Sequence, residues 1–361
     1  MSTHFFGLND RSFAYSHSVG RNEFSGTGFR NPVDMAVGDN DVMYVVNRGY
    51  EYRTDGVHIT VVTMSEEYIT EFGSYGAGPG QFVWPTAIAL DGQGNVYLAD
   101  EWLNRISVFN GEGEFLRSWP DGFDGGTSDD ASSRMIAFGA GPDIPAGKSG
   151  SGDGELDRPA GIAISKDGTM FVTDSRNHRV QKFTLDGKFL GKFGTFGSGP
   201  GEFNMPWGIS LDKEGNVFVA DWRNDRIQQF TADGEWMASF GQSGDGVGQF
   251  NRPNGVCVDD DGDIYVADWL NNRVQVLAPD GRFVTALKGD HVLSQWGKDK
   301  LNSNPDMIRQ RALAVSHNPS YERSFNHPCA VKIDGQGRLA VLDHFGGRIQ
   351  VYAKSKDPVL V

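Results

Sequence analysis

The chain has 361 residues, a net charge of −14 and only two cysteines. The excess of acid argues against a nucleic-acid partner, which calls for clustered Lys and Arg. No apolar run is long enough to span a bilayer, and MSTHFFGLND lacks the basic stretch and apolar core of a secretory signal, so no membrane partner is expected. Two cysteines fit a reducing compartment, and a cytoplasmic location is the expectation.

In chain order, SFAYSHSVG at 12–20 is the first strand-like run. A unit then begins at Pro32 and returns at Pro85, Pro159, Pro206, Pro253 and Pro328. Fifteen residues after each proline stands Asn47, Asp100, Asp174, Asp221, Asp268 or Asp343. Three residues before each proline lies Phe29, Phe82, Leu156, Phe203, Phe250 or Phe325. Five residues after the acid comes Arg105, Arg179, Arg226, Arg273 or Arg348, with Tyr52 in the first copy. A fixed spacing of this kind marks a repeat architecture.

Each copy reads as four short strands, a to d. In the fourth copy these are GISLD, VFVAD, RIQQF and WMASFG, separated by the turns KEGN, WRND and ADGE. Alternating apolar residues with Gly- and Asn-containing turns predict an antiparallel meander. Six such sheets bury their faces by radial packing, so the expected fold is all-β: one six-bladed β-propeller over residues 1–361. Gly20 precedes Pro32 by the same 12 residues that separate Gly73 from Pro85 and Gly194 from Pro206. Residues 12–20 therefore occupy a strand-d slot and are expected to complete the last blade, which ends after RIQVYAK.

The phrases GQFNRPNGVCVDDDGDIYVADWLNNRVQV and GEFNMPWGISLDKEGNVFVADWRNDRIQQF resemble the NHL repeat. That resemblance implies the propeller fold over nearly the whole chain and leaves function open, because NHL propellers include enzymes, RNA binders and scaffolds. The loop VNRGYEYRTDG is also similar to an Arg-containing loop of the peptidyl-hydroxyglycine amidating lyases. This likeness implies that Arg48 binds or polarises substrate. Those lyases hold zinc on His residues directly after the strand-a proline. Here that column reads Val33, Thr86, Ala160, Trp207, Asn254 and Cys329, so zinc of that type is not expected. A different metal site using His327, His344, Cys329 or Asp34 stays open.

Three enlarged segments fall on one face: the first b–c loop, and d–a insertions at about 119–156 and 288–324, the latter with a short helix expected in KLNSNPDMIRQRALAV. Long loops on one side of a regular scaffold predict a functional rim. What recurs in all blades is read as scaffold, and this includes the Asp–Arg pairs and His178, which fills an Asn or Asp slot. Variable slots on the looped face are the functional candidates. Trp102, Trp207, Trp222 and Trp269 gather there, with Trp84 beside a proline, and predict an aromatic pocket for an apolar, aromatic, sugar-like or cationic ligand. Asn254, Glu101, Arg176 and Arg223 occupy the same slots and are taken as further substrate-binding residues. Arg48, His344, His327, Asp34 and Tyr50 are the candidates for acid–base chemistry and anion stabilisation. Lyase, hydrolase or isomerase action on a small molecule is the first expectation. A non-catalytic scaffold for a protein or ligand is the alternative, so a protein partner stays open.

Overall fold

The computed structural model describes residues 11–22, 27–50, 53–120, 144, 146–317 and 322–356. Six four-stranded antiparallel sheets are present. Strand a of each blade begins at the repeat proline, and strand b ends at the repeat acid or, in blade one, runs past Asn47. The proline therefore pairs across the sheet with that residue, as in Pro206 with Asp221 and Pro253 with Asp268. A register shift follows the proline in every blade, which turns the next side chains toward the channel mouth.

The last blade is built from both ends of the chain. Ser12–Val19 pairs antiparallel with Arg348–Ser355, from Ser12 opposite Ser355 to Val19 opposite Ile349. The ring is thereby closed as expected, with no free edge at the seam.

The core is divided among the blade interfaces. Val46, Ile59, Phe82 and Leu98 fill the space between blades one and two, and Phe218, Ile227, Phe250 and Val266 that between four and five. An equivalent cluster lies at the seam, where Val19, Met35, Cys329 and Leu342 pack together. At the axis the a strands approach closely. A Cβ on Gly255 would stand 2.8 Å from the carbonyl of Cys329, so only glycine fits there.

The repeated acid is a junction for backbone and side chains. Asp221 accepts the Asn204 amide (2.8 Å), Asn224 Nδ2 (2.8 Å), Arg226 Nε (2.9 Å) and Gln228 Nε2 (3.1 Å). Arg226 then donates to the carbonyls of Ser198, Gly199 and Glu202, holding the incoming d–a connection on the blade. Sequence reading placed these pairs in the scaffold, and this geometry is the reason they recur. His178 has the same character: it is left-handed (φ 55°) and accepts the Met205 amide at 3.0 Å.

One feature differs from the sequence reading and a second extends it. The enlarged first b–c loop is a hairpin extension, since Val42–Tyr50 and Arg53–Thr63 continue pairing past the other blades, with Arg48 opposite Val57. The 288–324 insertion carries two helices, Gln295–Asn302 and Pro305–His317. Trp296 of the first packs against Phe29 and the seam cluster rather than over the channel. Most of the 119–156 insertion lies outside the described residues. Among the described residues, no helix is long and apolar enough to cross a membrane.

Candidate active site at the channel mouth

A cavity of about 560 Å³ opens at the channel mouth on the face of the b–c turns. Its volume falls in the range of small-molecule sites. Blade one supplies Val33 and Arg48, blade two Trp84, Thr86, Glu101 and Trp102, and blade three Arg158. Blade four adds Met205, Trp207, Trp222 and Arg223; blade five Asn254 and Trp269; blade six Cys329 and His344. All six blades converge because their strand-a starts and strand-b ends share one rim.

Arg48 is held from two sides. Its Nε donates to the Pro85 carbonyl (2.7 Å), Nη2 donates to Glu101 Oε1 (2.9 Å), and the guanidinium lies 5.1 Å from the centre of the Trp84 ring. Burial lowers its pKa, and Glu101 opposes that shift. Among the described residues Nη1 has no protein partner, so this end of the fork is available to a ligand.

His344 faces the same cavity from across the seam. Its Nδ1 donates to the Pro32 carbonyl at 2.8 Å, which fixes the proton on that nitrogen and leaves Nε2 as an acceptor. Burial is the main reason its pKa falls to about 4, with Arg48 and His327 pushing the same way. The imidazole is therefore neutral near pH 7. Trp269 lies against it, with ring centres 5.1 Å apart.

The tryptophans differ in exposure. Trp207 and Trp222 pack with ring centres 5.9 Å apart, and Arg252 lies 4.9 Å over Trp222. Trp102 is buried under the returning insertion, where its Nε1 donates to the Ile144 carbonyl at 3.3 Å. The Asn254 side chain makes no hydrogen bond among the described residues, which leaves it free for a ligand.

Three candidates stand apart from the cavity wall. Asp34 lies farther down the channel, beside Lys332 (3.6 Å) and the Ile88 amide (3.0 Å), and burial raises its pKa. His327 is on the outer rim, against Trp269 and Phe345, with Nδ1 2.9 Å from Asn326 Oδ1. Arg176 points away toward Asp157. Tyr50 belongs to the hairpin extension, but its side chain lies outside the described residues, as does all of Tyr52. Neither described part of the two d–a insertions lines the cavity.

Sequence reasoning passed over Arg158 and Met205. Both stand immediately before the repeat proline in a left-handed conformation, as do Asn31, Arg252 and His327. Reading that column across the copies, as the column directly after the proline was read, would have found them.

Among the described residues no three His, Cys, Asp or Glu side chains stand close enough to hold a metal ion. Cys329 is buried, and burial raises its thiol pKa, favouring the protonated form. Cys257 is likewise free and buried.

Comparison with known proteins agrees with the architecture. Residues 145–241 match the family described as SMP-30/Gluconolactonase/LRE-like region, and residues 250–277 match the NHL repeat. The mouse NHL repeat-containing protein 3 is 32% identical over 98 residues, 26% of this chain and 27% of that protein. The Caenorhabditis elegans protein lin-41 is 52% identical over 52 residues, 14% of this chain and 4% of the relative. The chain thus matches about a quarter or less of the length of these relatives. Among solved structures, a streptogramin B lyase superposes with a TM-score of 0.53 at 11% identity, covering 96% of this chain and 98% of the other. A catalytically inactive virginiamycin B lyase from Staphylococcus aureus with quinupristin gives 0.55 at 14% identity, covering 95% and 99%. At such identities the likeness concerns the fold alone. The chain is a six-bladed β-propeller that carries an NHL repeat and a gluconolactonase-like segment.

Proposed function

We propose that the chain is an enzyme acting on a small organic molecule by acid–base chemistry of the lyase, hydrolase or isomerase kind. The observation carrying this reading is the pairing of a tautomer-fixed, neutral His344 with an anchored Arg48 on adjacent blades of one aromatic cavity. Nε2 of His344 takes a proton from carbon or from an attacking hydroxyl. The electron pair moves to a substrate oxygen, where Arg48 stabilises the developing negative charge. The tryptophans exclude water and orient the apolar body of the substrate.

Purified protein offered a panel of small carbonyl compounds, with products followed by mass spectrometry, tests the reading. Arg48→Ala is expected to lower turnover about 10²–10³-fold. His344→Ala is expected to lower it about 10²–10⁴-fold. Both should keep the native circular dichroism spectrum. A panel that yields no product with the native protein, or undiminished turnover in both variants, sinks it.

A scaffold that presents the same face to a protein is the second reading. Exposed Leu270 (45%) and Phe345 (47%) on the rim favour it. A partner captured through Leu270 and Phe345, and retained when Trp207 and Trp222 are replaced, would select the scaffold.

A further inference from the structure

The cavity's charge runs against that of the chain. The protein carries −14 overall, yet among the described residues three arginines and a single carboxylate line the cavity. Glu101, the carboxylate, is already engaged by Arg48 at 2.9 Å. Arg158 and Arg223 remain, and neither forms an ion pair among the described residues.

Their backbones are fixed. Arg158, left-handed at φ 57°, donates its amide to Asn104 Oδ1 at 2.8 Å, and Arg223 donates its amide to the Asn204 carbonyl at 3.0 Å. The guanidinium of Arg223 sits 5.7 Å from the centre of the Trp222 ring, against an apolar face. Arg158 belongs to blade three and Arg223 to blade four. In a six-bladed ring these stand opposite blades six and one, which supply His344 and Arg48.

We propose that Arg158 and Arg223 form an anion subsite, and that the ligand is an organic carboxylate carrying a planar ring. Its carboxylate is bound on the blade three–four side, its ring lies among Trp207, Trp222 and Trp269, and its far end reaches His344 and Arg48. The polarity rests on cavity charge and the subsite on two unpaired guanidinium groups, whose forked donors match a carboxylate. A cationic ligand, admissible from the tryptophans alone, is disfavoured by the arginines. A phosphate is less suited because the rim offers strand ends and turns rather than a helix N-terminus. The inference deepens the enzymatic reading of the cavity, but binding polarity can be measured without turnover.

The probes are 2-naphthoate, its neutral amide and 2-naphthyl phosphate, titrated calorimetrically against the native protein. The acid is expected to bind roughly tenfold or more tightly than the amide, one charge-assisted contact being worth about that factor. Arg158→Ala and Arg223→Ala should each remove most of the preference while leaving the amide's affinity unchanged. Arg158→Lys should restore part of it. Naphthoate binding should persist in His344→Ala, so loss of turnover with retained binding separates chemistry from recognition. Equal affinity for acid and amide, tighter binding of the phosphate, no binding of the acid or the amide, or an acid preference surviving the double alanine variant would each overturn the proposal.

Discussion

The carboxylate of Glu66 accepts the amide of Gly20 at 2.7 Å, tying the c–d turn of blade one to the strand that completes blade six. Its other oxygen accepts the Trp296 amide at 2.9 Å, at the start of the Gln295–Asn302 helix. Glu66 is left-handed (φ 68°) and fills the slot held by Gly113, Gly187, Gly234 and Gly281 in other blades. A conformation that glycine adopts freely is thus occupied by a side chain with two partners across the seam.

Glu66→Gly separates these effects. The turn loses its strain, but one buried and one partly buried amide lose a charged acceptor. The expected outcome is a net loss of about 1–3 kcal/mol in denaturant unfolding, with faster amide exchange at residues 12–20 than in blades three and four. Unchanged stability and exchange would show that the helix and strand hold the seam without the carboxylate.

Asn47 stands where other blades have Asp, and its surroundings explain why. Oδ1 accepts the Arg30 amide at 2.8 Å, while Nδ2 donates to the carbonyls of Val45 and His58 and to Thr60 Oγ1. A carboxylate would meet two carbonyl oxygens and lack the arginine found five residues later elsewhere. Asn47→Asp should therefore cost about 3 kcal/mol near neutral pH, and thermal melting should show part of this recovered on acidification. An unaltered melting temperature would contradict the assignment of Nδ2.

In blade four the situation is reversed. Arg226→Met leaves Asp221, fully buried, without its cation and frees three carbonyls of the d–a connection. The expected loss is about 3–5 kcal/mol, much larger than for replacing the exposed Lys213, as read by urea unfolding.

His344 and His291 stay neutral well below the ordinary histidine value. Burial is the leading cause in both, lowering His344 to about 4 and His291 to about 3. The unfolded chain binds protons at these sites near pH 6.5 and the folded chain does not, so protons favour unfolding. Their stabilising effect is complete above pH 6.5 and is lost as pH falls toward 4 for His344 and 3 for His291. His344→Gln and His291→Gln should each flatten the acid limb of the stability profile, and NMR should find both imidazoles unprotonated at pH 5.5.

The Arg48–Glu101 pair admits a double-mutant cycle. With both side chains mostly shielded and the contact at 2.9 Å, a coupling of about 1–2 kcal/mol is expected from Arg48→Met and Glu101→Gln. A coupling near zero would mean that the Pro85 carbonyl alone positions the arginine.

The repeat made the blades, the closing strand and the rim columns legible, because the proline keeps its spacing through six copies and the acid and arginine through five. Less visible was the hairpin at Arg48, since Gly49 and the run after it read as a loop while the backbone continues to pair. The helices at 288–324 were placed on the functional face by chain order, which does not reveal that Trp296 turns toward Phe29. Asp34 could not be separated from the mouth by sequence, as the register shift after Pro32 decides its depth. Short parallel ladders in the d–a connections, such as Thr195–Phe196 beside Glu202–Phe203, are too brief to leave a periodic signal.

His344 donates to Pro32, and these residues lie 312 positions apart in the chain. During synthesis the strand at Ser12–Val19 waits for Arg348–Ser355 before it has a partner, and blade one waits equally for blade six. The histidine's orientation is created by the same event that welds the ring. An arrested or partly opened chain can retain its middle blades and its arginines, yet it has no imidazole aimed at them. In the chemistry proposed above, the acceptor imidazole is thus in place only once the circle is complete.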